Sequence, residues 1–299
     1  MTTAMCELAT RLPKLVASLL DRESKLKRGR FREETLTDIF TGALAAFAGP
    51  DLVIEYPPES ATGGDIDLDF RHVSSGRRLQ IRIQAKRLNA EMNTGKAVVM
   101  GHRAYNELLH QVPPTTGPYQ FDTLVKNCGK FLPLYMFYNH GAVTRDSYFT
   151  AGSPAVSGIN LAFASDIAGE MNAKIAAKPK RLHHKRLAHL RKYFFGLDTI
   201  LCPTEDWDGN VPPPDVVSAS LDRTWNRIMA ERDDVDRVPR MLNAPSTIKT
   251  RFDPDRRLQD GPAIRMNQTL ERPMITLMSG RTDDDRTPRI SDDDSGIRD

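Results

Sequence analysis

Apolar and polar residues alternate strictly in two short stretches, residues 65–71 and residues 79–86. Because neighbouring side chains point to opposite faces of a β-strand, each stretch predicts a strand with one apolar and one polar face. The sequence Ser74-Ser75-Gly76 between them is typical of a tight turn, so the two strands are predicted to form an antiparallel hairpin. If both apolar faces join one core, the polar side chains of both strands lie together on the other side.

Helical periodicity surrounds this hairpin. Apolar residues recur every three or four positions over residues 5–21 and 33–47, which predicts two amphipathic helices. Elsewhere the pattern predicts helices at residues 96–110, 119–130, 166–177 and 178–195, and strands at residues 51–56, 132–138 and 159–164. The order α–α–β–β–β–α–α–β through residue 140 predicts an α/β fold with a mixed central sheet flanked by helices.

The pattern weakens toward the C-terminus. Residues 204–220 are rich in Pro, Asp and Ser, and no apolar periodicity is sustained from about residue 231 onward. Segments of this kind bury too little apolar surface to offset the entropy lost on ordering. We therefore predict one domain over residues 1–203 and a polar, largely disordered region over residues 204–299, of which the part beyond residue 230 is dispensable for folding.

Charge is distributed unevenly along the 299 residues. The formal net charge is +3, but residues 281–299 hold seven Asp and four Arg, a local net charge of −3, which leaves +6 on residues 1–280. A basic body of this kind fits a nucleic-acid partner. The strongest basic segment, residues 178–192, contains no acid, and its cations are Lys178, Lys180, Arg181, Lys185, Arg186, Arg191 and Lys192. As a helix of about 22 Å it would follow several phosphates, although a solvated helix surface has the same composition.

The cysteines and the apolar runs bear on the compartment. Cys6, Cys128 and Cys202 are far apart and form no CxxC pair. A sparse, odd number of cysteines argues against a disulfide framework and against a cysteine zinc site, and favours thiols in a reducing compartment. The longest apolar run, residues 131–138, is too short to cross a bilayer, and the N-terminus lacks the pattern of a signal peptide. These observations predict a cytoplasmic protein with no membrane partner.

The polar face of the predicted hairpin combines carboxylates, amides and cations: Asp65, Asp67, Asp69, Gln80, Arg82, Gln84 and Lys86. Carboxylate oxygens bind Mg²⁺, and a bound metal polarises a phosphate and lowers the pKa of a coordinated water. A lysine ammonium stabilises charge that develops on phosphoryl oxygens. The face therefore favours phosphodiester hydrolysis, with the side-chain oxygen of Gln84 and the backbone carbonyl of Ala85 as further metal ligands. The alternative is a solvated strand face, in which pairs such as Asp67 with Arg82 only stabilise the sheet.

Short motifs on this hairpin resemble a known superfamily. Gly64-Asp65, the hairpin and Gln84-Ala85-Lys86-Arg87 resemble the PD-(D/E)XK nucleases, in the D…QxK variant of Mrr-type restriction endonucleases. Over residues 33–140 the chain also resembles an uncharacterised bacterial family with a restriction-endonuclease-like fold. The matching residues are Thr62-Gly63-Gly64-Asp65-Ile66-Asp67, Gln84-Ala85-Lys86-Arg87-Leu88, Tyr105, Gln120 and Pro133-Leu134-Tyr135-Met136-Phe137-Tyr138-Asn139.

The resemblance implies a restriction-endonuclease-like core and a role for each motif residue. Asp65 is then the principal metal ligand, Gln84 replaces the second acid and Lys86 is the catalytic lysine. Glu34, on the helix before the hairpin, is implied as a further acidic ligand, although Glu33 is adjacent to it. Asp67 remains an alternative ligand to a partner of Arg82. Tyr105 and Gln120 are either core residues or residues that orient the substrate.

The implied activity is cleavage of nucleic acid, with DNA favoured over RNA and with Mg²⁺ or Mn²⁺ as cofactor. Bacterial defence is the setting that the resemblance suggests, and a homodimer is one assembly that the sequence leaves open. A nuclease-fold protein that binds nucleic acid without cutting it is the alternative, which the amide of Gln84 favours. A regulatory protein whose basic segment binds another protein is a third.

Overall fold

An eight-stranded mixed sheet forms the centre of the computed structural model within the residues that it describes. These are residues 3–23, 31–57, 65–89, 92–93, 96–97, 103–151, 154–180, 182–230 and 262–280. The strands are β1 (Leu52–Tyr56), β2 (Asp65–His72), β3 (Arg78–Arg87), β4 (Met92–Asn93), β5 (Lys96–Ala97), β6 (Leu132–Tyr138), β7 (Ile159–Phe163), β8 (Phe195–Gly196), β9 (Ala263–Met266) and β10 (Met274–Ser279). Their order in the large sheet is β8-β7-β6-β3-β2-β10-β1-β9, and β4 and β5 form a separate two-stranded sheet.

The predicted hairpin is present at the middle of this sheet. β2 and β3 are antiparallel, with Asp65 opposite Gln84 and Ile66 opposite Ile83. Gly76 in the connecting turn has φ +68, a conformation that glycine adopts without strain. β3 also pairs with β6 in parallel, and β2 pairs with β10 in parallel. These pairs confirm the predicted mixed sheet.

Helices cover both faces of the sheet. They are α1 (Ala4–Glu23), α2 (Glu33–Ala48), α3 (Gln120–Lys126), α4 (Gly141–Thr144), α5 (Ser147–Thr150), α6 (Ala164–Ala176), α7 (Leu187–Leu190), α8 (Asp198–Leu201) and α9 (Pro214–Ala230). On one face, α1, α2 and α9 pack around a core that includes Phe40 and Ile83. On the other, α3 and α6 enclose a second core that includes Phe121 and Phe137. Within the described residues, no helix is long and apolar enough to span a membrane.

The two cores fix the orientation of the hairpin. Ile81, Ile83 and Ala85 of β3 are fully buried in the first core. Gln84 pairs in register with Tyr135 of β6, and Tyr135 belongs to the second core. The polar face of the hairpin is therefore continuous with the sheet face that α3 and α6 cover.

The C-terminal residues extend the same fold, so the predicted boundary at residue 203 is not an edge of it. β10 lies between β1 and β2, and its Ile275 and Leu277 are fully buried in the first core. The prediction of a largely disordered region does not hold for residues 204–230 and 262–280. Every residue of β10 is buried, so this strand has no polar face and no alternation to detect. For residues 231–261 and 281–299, the prediction lies outside the described residues.

A disulfide bond joins two distant parts of the chain, contrary to the prediction of free thiols. Cys6 in α1 bonds to Cys202, which follows α8, across a sequence separation of 196 residues. Cys128 forms no disulfide bond, and its buried thiol donates to the carbonyl of Val125 at 3.1 Å. The spacing of the cysteines gave no signal for this bond, because only the packing of α1 against α8 brings the two residues together.

Candidate active site

Asp65 and Gln84 lie opposite each other on the polar face of the hairpin. The Nε2 atom of Gln84 is 3.5 Å from Oδ2 of Asp65, and Oε1 of Gln84 is buried with no hydrogen-bond partner. A buried amide oxygen without a donor is costly, and such an atom in a polar site points to a missing ligand or water. The side chain of Asp65 is 29% exposed, so the pair is open to solvent on one side.

Lys86 follows on the same face and is held in a buried position. Its side chain is 4% exposed. Its Nζ lies 3.3 Å from Oε2 of Glu33 and 3.3 Å from Oε1 of Gln120. A buried ammonium needs partners of this kind, and together they define where the charge sits. Gln120 is thus a residue that positions Lys86.

The acidic residue that α2 brings to the site is Glu33 and not Glu34. Besides its contact with Lys86, Oε1 of Glu33 accepts a hydrogen bond of 3.0 Å from the backbone nitrogen of Arg87. Glu34 is exposed. Consecutive residues on a helix point about 100° apart, so only one of the two can face the site. The apolar stripe of α2 would have identified Glu33, because it precedes Leu36 and Phe40 by three and seven positions.

Both carboxylate oxygens of Asp67 accept hydrogen bonds from Arg82. The Nε and Nη2 atoms of Arg82 donate to the two carboxylate oxygens of Asp67 at 2.9 and 2.8 Å. Further along the ribbon, the fully buried Asp69 accepts hydrogen bonds from Arg71 and Arg78 in the same way. The structure therefore supports the sheet-stabilising interpretation for Asp67 and leaves Asp65 as the carboxylate with free oxygen capacity.

Tyr105 belongs to the core. Its ring is fully buried, and its hydroxyl donates to Oδ1 of Asn139 at 2.5 Å. Burial raises its pKa well above the usual value of 10.0. The sequence left open whether Tyr105 and Gln120 belong to the core or to the site. In the structure Gln120 contacts Lys86 of the site, and Tyr105 packs in the core.

Sequence reasoning missed two further side chains of the site. The hydroxyl of Tyr135, beside Gln84 in the neighbouring strand, is buried and has no hydrogen-bond partner. Arg272, just before β10, places Nη1 3.8 Å from Oδ2 of Asp65. Tyr135 lies within the motif of residues 133–139, which was a usable signal. Arg272 had none, because it comes from the part of the chain without periodicity.

Burial sets the protonation behaviour of the two carboxylates. It raises the pKa of Asp65 above 3.8, against the opposing charges of Lys86 and Arg272. It also raises the pKa of Glu33 above 4.5, with Lys86 opposing. The charged form of each carboxyl is thus less favourable in the folded protein than in water. A bound cation would offset this cost of burying the charge.

Asp65→Asn is therefore expected to stabilise the metal-free protein. A raised carboxyl pKa means that the folded state holds the proton more readily than the unfolded state, so stability falls as the pH rises from the unfolded pKa of 3.8 through the folded one. At pH 7 the neutral variant should melt roughly 2 °C or more above the wild type, the scale of about 1 kcal/mol in a domain of this size. Calorimetry in EDTA measures this shift.

The exposed Asp208 provides the matched control for that prediction. Asp208→Asn should leave the melting temperature unchanged at pH 7. The gain from Asp65→Asn should also shrink near pH 4, where the wild-type carboxyl takes up its proton. A lower melting temperature for Asp65→Asn at pH 7 would contradict the account of a penalised carboxylate.

The donor set fits a weakly held Mg²⁺ or Mn²⁺. Within the described residues, no group of three or more His, Cys, Asp or Glu could hold a metal ion. Asp65 and Oε1 of Gln84 are the available side-chain oxygens. The side chain of Ala85 is buried in the first core, so this residue could contribute only its carbonyl. Mg²⁺ commonly uses one or two carboxylates and completes its shell with water and substrate phosphate, which such a site permits.

The basic segment at residues 178–192 is not a single helix. Residues 182–185 and 191–193 are 3-10 turns on either side of the four-residue α7. Pro179 interrupts helical hydrogen bonding near its start. Arg191 donates to the carbonyls of Pro154 and Tyr148 at 3.0 and 2.5 Å. The predicted phosphate-tracking helix of residues 178–192 is therefore wrong in its geometry.

An acid from another element also enters this segment. Glu170 of α6 lies 3.2 Å from Nζ of Lys192 and 3.0 Å from Nδ1 of His184. Lys178 and Lys180 are exposed. Lys185 and Arg186 are half-buried, and Arg181 lies outside the described residues. Contact of these cations with nucleic acid stays a prediction.

Arg191 and the exposed lysines should respond differently to substitution. Arg191→Ala removes charge-assisted bonds to two carbonyls, so the protein should lose about 1–3 kcal/mol of stability. Its melting temperature should fall by about 2–4 °C for each kcal/mol lost.

The double variant Lys178→Ala/Lys180→Ala should keep the melting temperature. If both lysines contact phosphates, it should reduce the slope of log affinity against log salt by up to ~2. Thermal melts and salt titrations separate the two outcomes, and an unchanged slope would assign these lysines to a solvated surface.

Comparison with known proteins gives a family but no relative of described activity. No curated protein matches the chain, and no solved structure matches it either. A protein family of unknown function, DUF6615, matches residues 5–286 of the chain. These residues include both the hairpin and β10. Since the match covers nearly the whole chain, the protein belongs to the DUF6615 family.

Proposed function

We propose that this protein is a metal-dependent nuclease that hydrolyses phosphodiester bonds of nucleic acid, DNA rather than RNA. The observation that carries the proposal is the convergence of Asp65, Gln84 and Lys86 on one end of the central ribbon. Asp65, a solvent-accessible carboxylate, faces Nε2 of Gln84 there, while Oε1 of Gln84 has no hydrogen-bond partner and the ammonium of Lys86 is restrained. The similarity of these motifs to the D…QxK nucleases supports the same conclusion.

The residues have distinct roles in this proposal. Asp65 and Oε1 of Gln84 would hold the metal, with the carbonyl of Ala85 as a further ligand. When bound, Mg²⁺ polarises the phosphate and lowers the pKa of a coordinated water. Lys86 stabilises the charge that develops on the phosphoryl oxygens. Glu33 and Gln120 keep the ammonium in place, because each accepts one of its hydrogen bonds.

A protein that binds nucleic acid without cutting it is the second candidate. The observation that favours it is the neutral amide of Gln84, which attracts a divalent cation less than a carboxylate does. Metal binding separates the two candidates. Titration of the full chain with Mn²⁺ in a calorimeter should release heat that Asp65→Ala abolishes if the protein is a nuclease. An equal heat from the variant would favour the second candidate.

A substrate panel tests the proposed activity directly. The purified full chain is incubated with plasmid, linear duplex, single-stranded DNA and RNA, with Mg²⁺, Mn²⁺ or EDTA. We expect products from DNA with either metal and none with EDTA. An absence of products from every substrate with both metals would overturn the nuclease proposal. A role in bacterial defence and a homodimer are further parts of the proposal. The disulfide between Cys6 and Cys202 removes free thiols as an argument for a cytoplasmic location.

A further inference from the structure

The chain just before β10 brings an arginine to the open side of the candidate active site. β10 runs parallel to β2, with Met274 opposite Asp67. The backbone nitrogen of Asp67 donates to the carbonyl of Pro273 at 2.9 Å, which anchors this chain segment to the start of β2. Arg272 consequently lies beside Asp65, with Nη1 3.8 Å from Oδ2.

The guanidinium of Arg272 has unused hydrogen-bonding capacity. Its Nε is buried and has no hydrogen-bond partner. Its contact with Asp65, at 3.8 Å between Nη1 and Oδ2, is longer than a hydrogen bond. Arg82 on the same sheet face instead donates to Asp67 through two nitrogens at 2.9 and 2.8 Å. A buried guanidinium donor without an acceptor is costly, so the fold holds Arg272 in a state that a ligand would relieve.

We propose that Arg272 is a substrate-contacting residue, which donates hydrogen bonds to the non-bridging oxygens of the phosphate at Asp65. The planar fork of an arginine matches two phosphate oxygens, whereas Lys86 provides a point charge from within the site. A metal ion at Asp65 would take over the neutralisation of that carboxylate and leave the guanidinium to the phosphate. This inference rests on the proposed function, because it assumes that nucleic acid is the ligand of this site.

The competing explanation is that Arg272 only offsets the charge of Asp65. Removal of the arginine would then strengthen metal binding, since a cation next to the ligand would be gone, and would leave nucleic-acid affinity unchanged. If Arg272 contacts phosphate, its removal weakens nucleic-acid binding in solutions of any divalent ion. The two explanations therefore predict different results for the same variant.

The test compares Arg272→Gln and Arg272→Lys with Arg265→Gln in the full chain. Arg265 is the matched control because it lies on β9, in the same C-terminal part, and pairs with Glu55 away from the site. Binding of a fluorescent duplex oligonucleotide is measured in Ca²⁺ over a range of salt concentrations, and thermal melts confirm folding. Arg272→Gln should reduce the slope of log affinity against log salt by about one, and cleavage in Mg²⁺ should slow at least roughly tenfold.

Arg272→Lys should restore the salt slope but not the full cleavage rate, because it keeps the charge and loses the fork. Arg265→Gln should match the wild type in both measurements. Wild-type affinity and salt slope for Arg272→Gln would overturn the proposal, even if the wild type cleaves DNA. If binding depends on Arg272 but the wild type never cleaves, the contact stands and the nuclease proposal alone fails. If Arg272→Gln melts far below the wild type, Arg272→Lys decides by its cleavage rate: a full wild-type rate overturns the proposal.

Discussion

A chain that ends at residue 230 is expected to lose its native fold. It lacks β10, which separates β1 from β2 in the sheet. Four of its apolar side chains, Met274, Ile275, Leu277 and Met278, are buried. At about 1.5–3 kcal/mol each, their loss amounts to about 6–12 kcal/mol. That equals most or all of the stability of an ordinary domain, about 5–15 kcal/mol, before the unpaired edges of β1 and β2 are considered.

The measurement is the thermal transition of two shortened chains. A chain that ends at residue 280 keeps β10 and removes residues 281–299, so it should melt within a few degrees of the full chain. The chain that ends at residue 230 should show no cooperative transition, or one lowered by far more than about 10 °C, several kcal/mol for a domain of this size. A native-like transition in this shorter chain would contradict the central position of β10.

The contrast between β2 and β10 shows what the sequence could predict of the fold. β2 alternates acidic and apolar residues, because one of its faces carries charges and the other joins the core. That alternation gave both the strand and its orientation. β10 is buried on both faces, is only six residues long and follows a long segment without periodicity. Its position next to β2 depends on contacts far apart in sequence, and the same holds for the bond between Cys6 and Cys202.

Lys86→Ala is expected to slow cleavage at least roughly a hundredfold, the scale on which one electrostatic group contributes to a transition state. The substitution removes a buried ammonium and leaves Glu33 without its cation. Cleavage rates in Mg²⁺ and thermal melts are both measured. Lys126→Ala is the control, because Lys126 is exposed on α3 and should not affect the rate. A folded Lys86→Ala protein with the wild-type rate would remove Lys86 from the site.

The adjacent glutamates allow a sharper comparison. Glu33→Gln weakens the restraint on Lys86 and should lower the rate, whereas Glu34→Gln changes an exposed residue and should not. Both substitutions preserve size and helix position, so a difference between them reports the orientation of α2. Wild-type rates for both variants would show that neither carboxylate takes part.

The candidate site itself was predictable where its residues follow the period of one strand pair. Alternation placed Asp65, Gln84 and Lys86 on one face, and the register of β2 with β3 brings the first two together. Glu33 required the rotational phase of α2 in addition to its charge. Arg272 was beyond reach, because its position depends on β10 and no local pattern marks it.

The most direct test of the proposed activity compares the wild type with Asp65→Asn in one assay. Initial rates of plasmid cleavage are measured in Mg²⁺ for both proteins, after thermal melts show that both are folded. The account predicts metal-dependent cleavage by the wild type and a rate at least roughly a hundredfold lower for Asp65→Asn, since a key electrostatic group is lost. Equal rates for the two folded proteins, or no cleavage by the wild type in either Mg²⁺ or Mn²⁺, would contradict it.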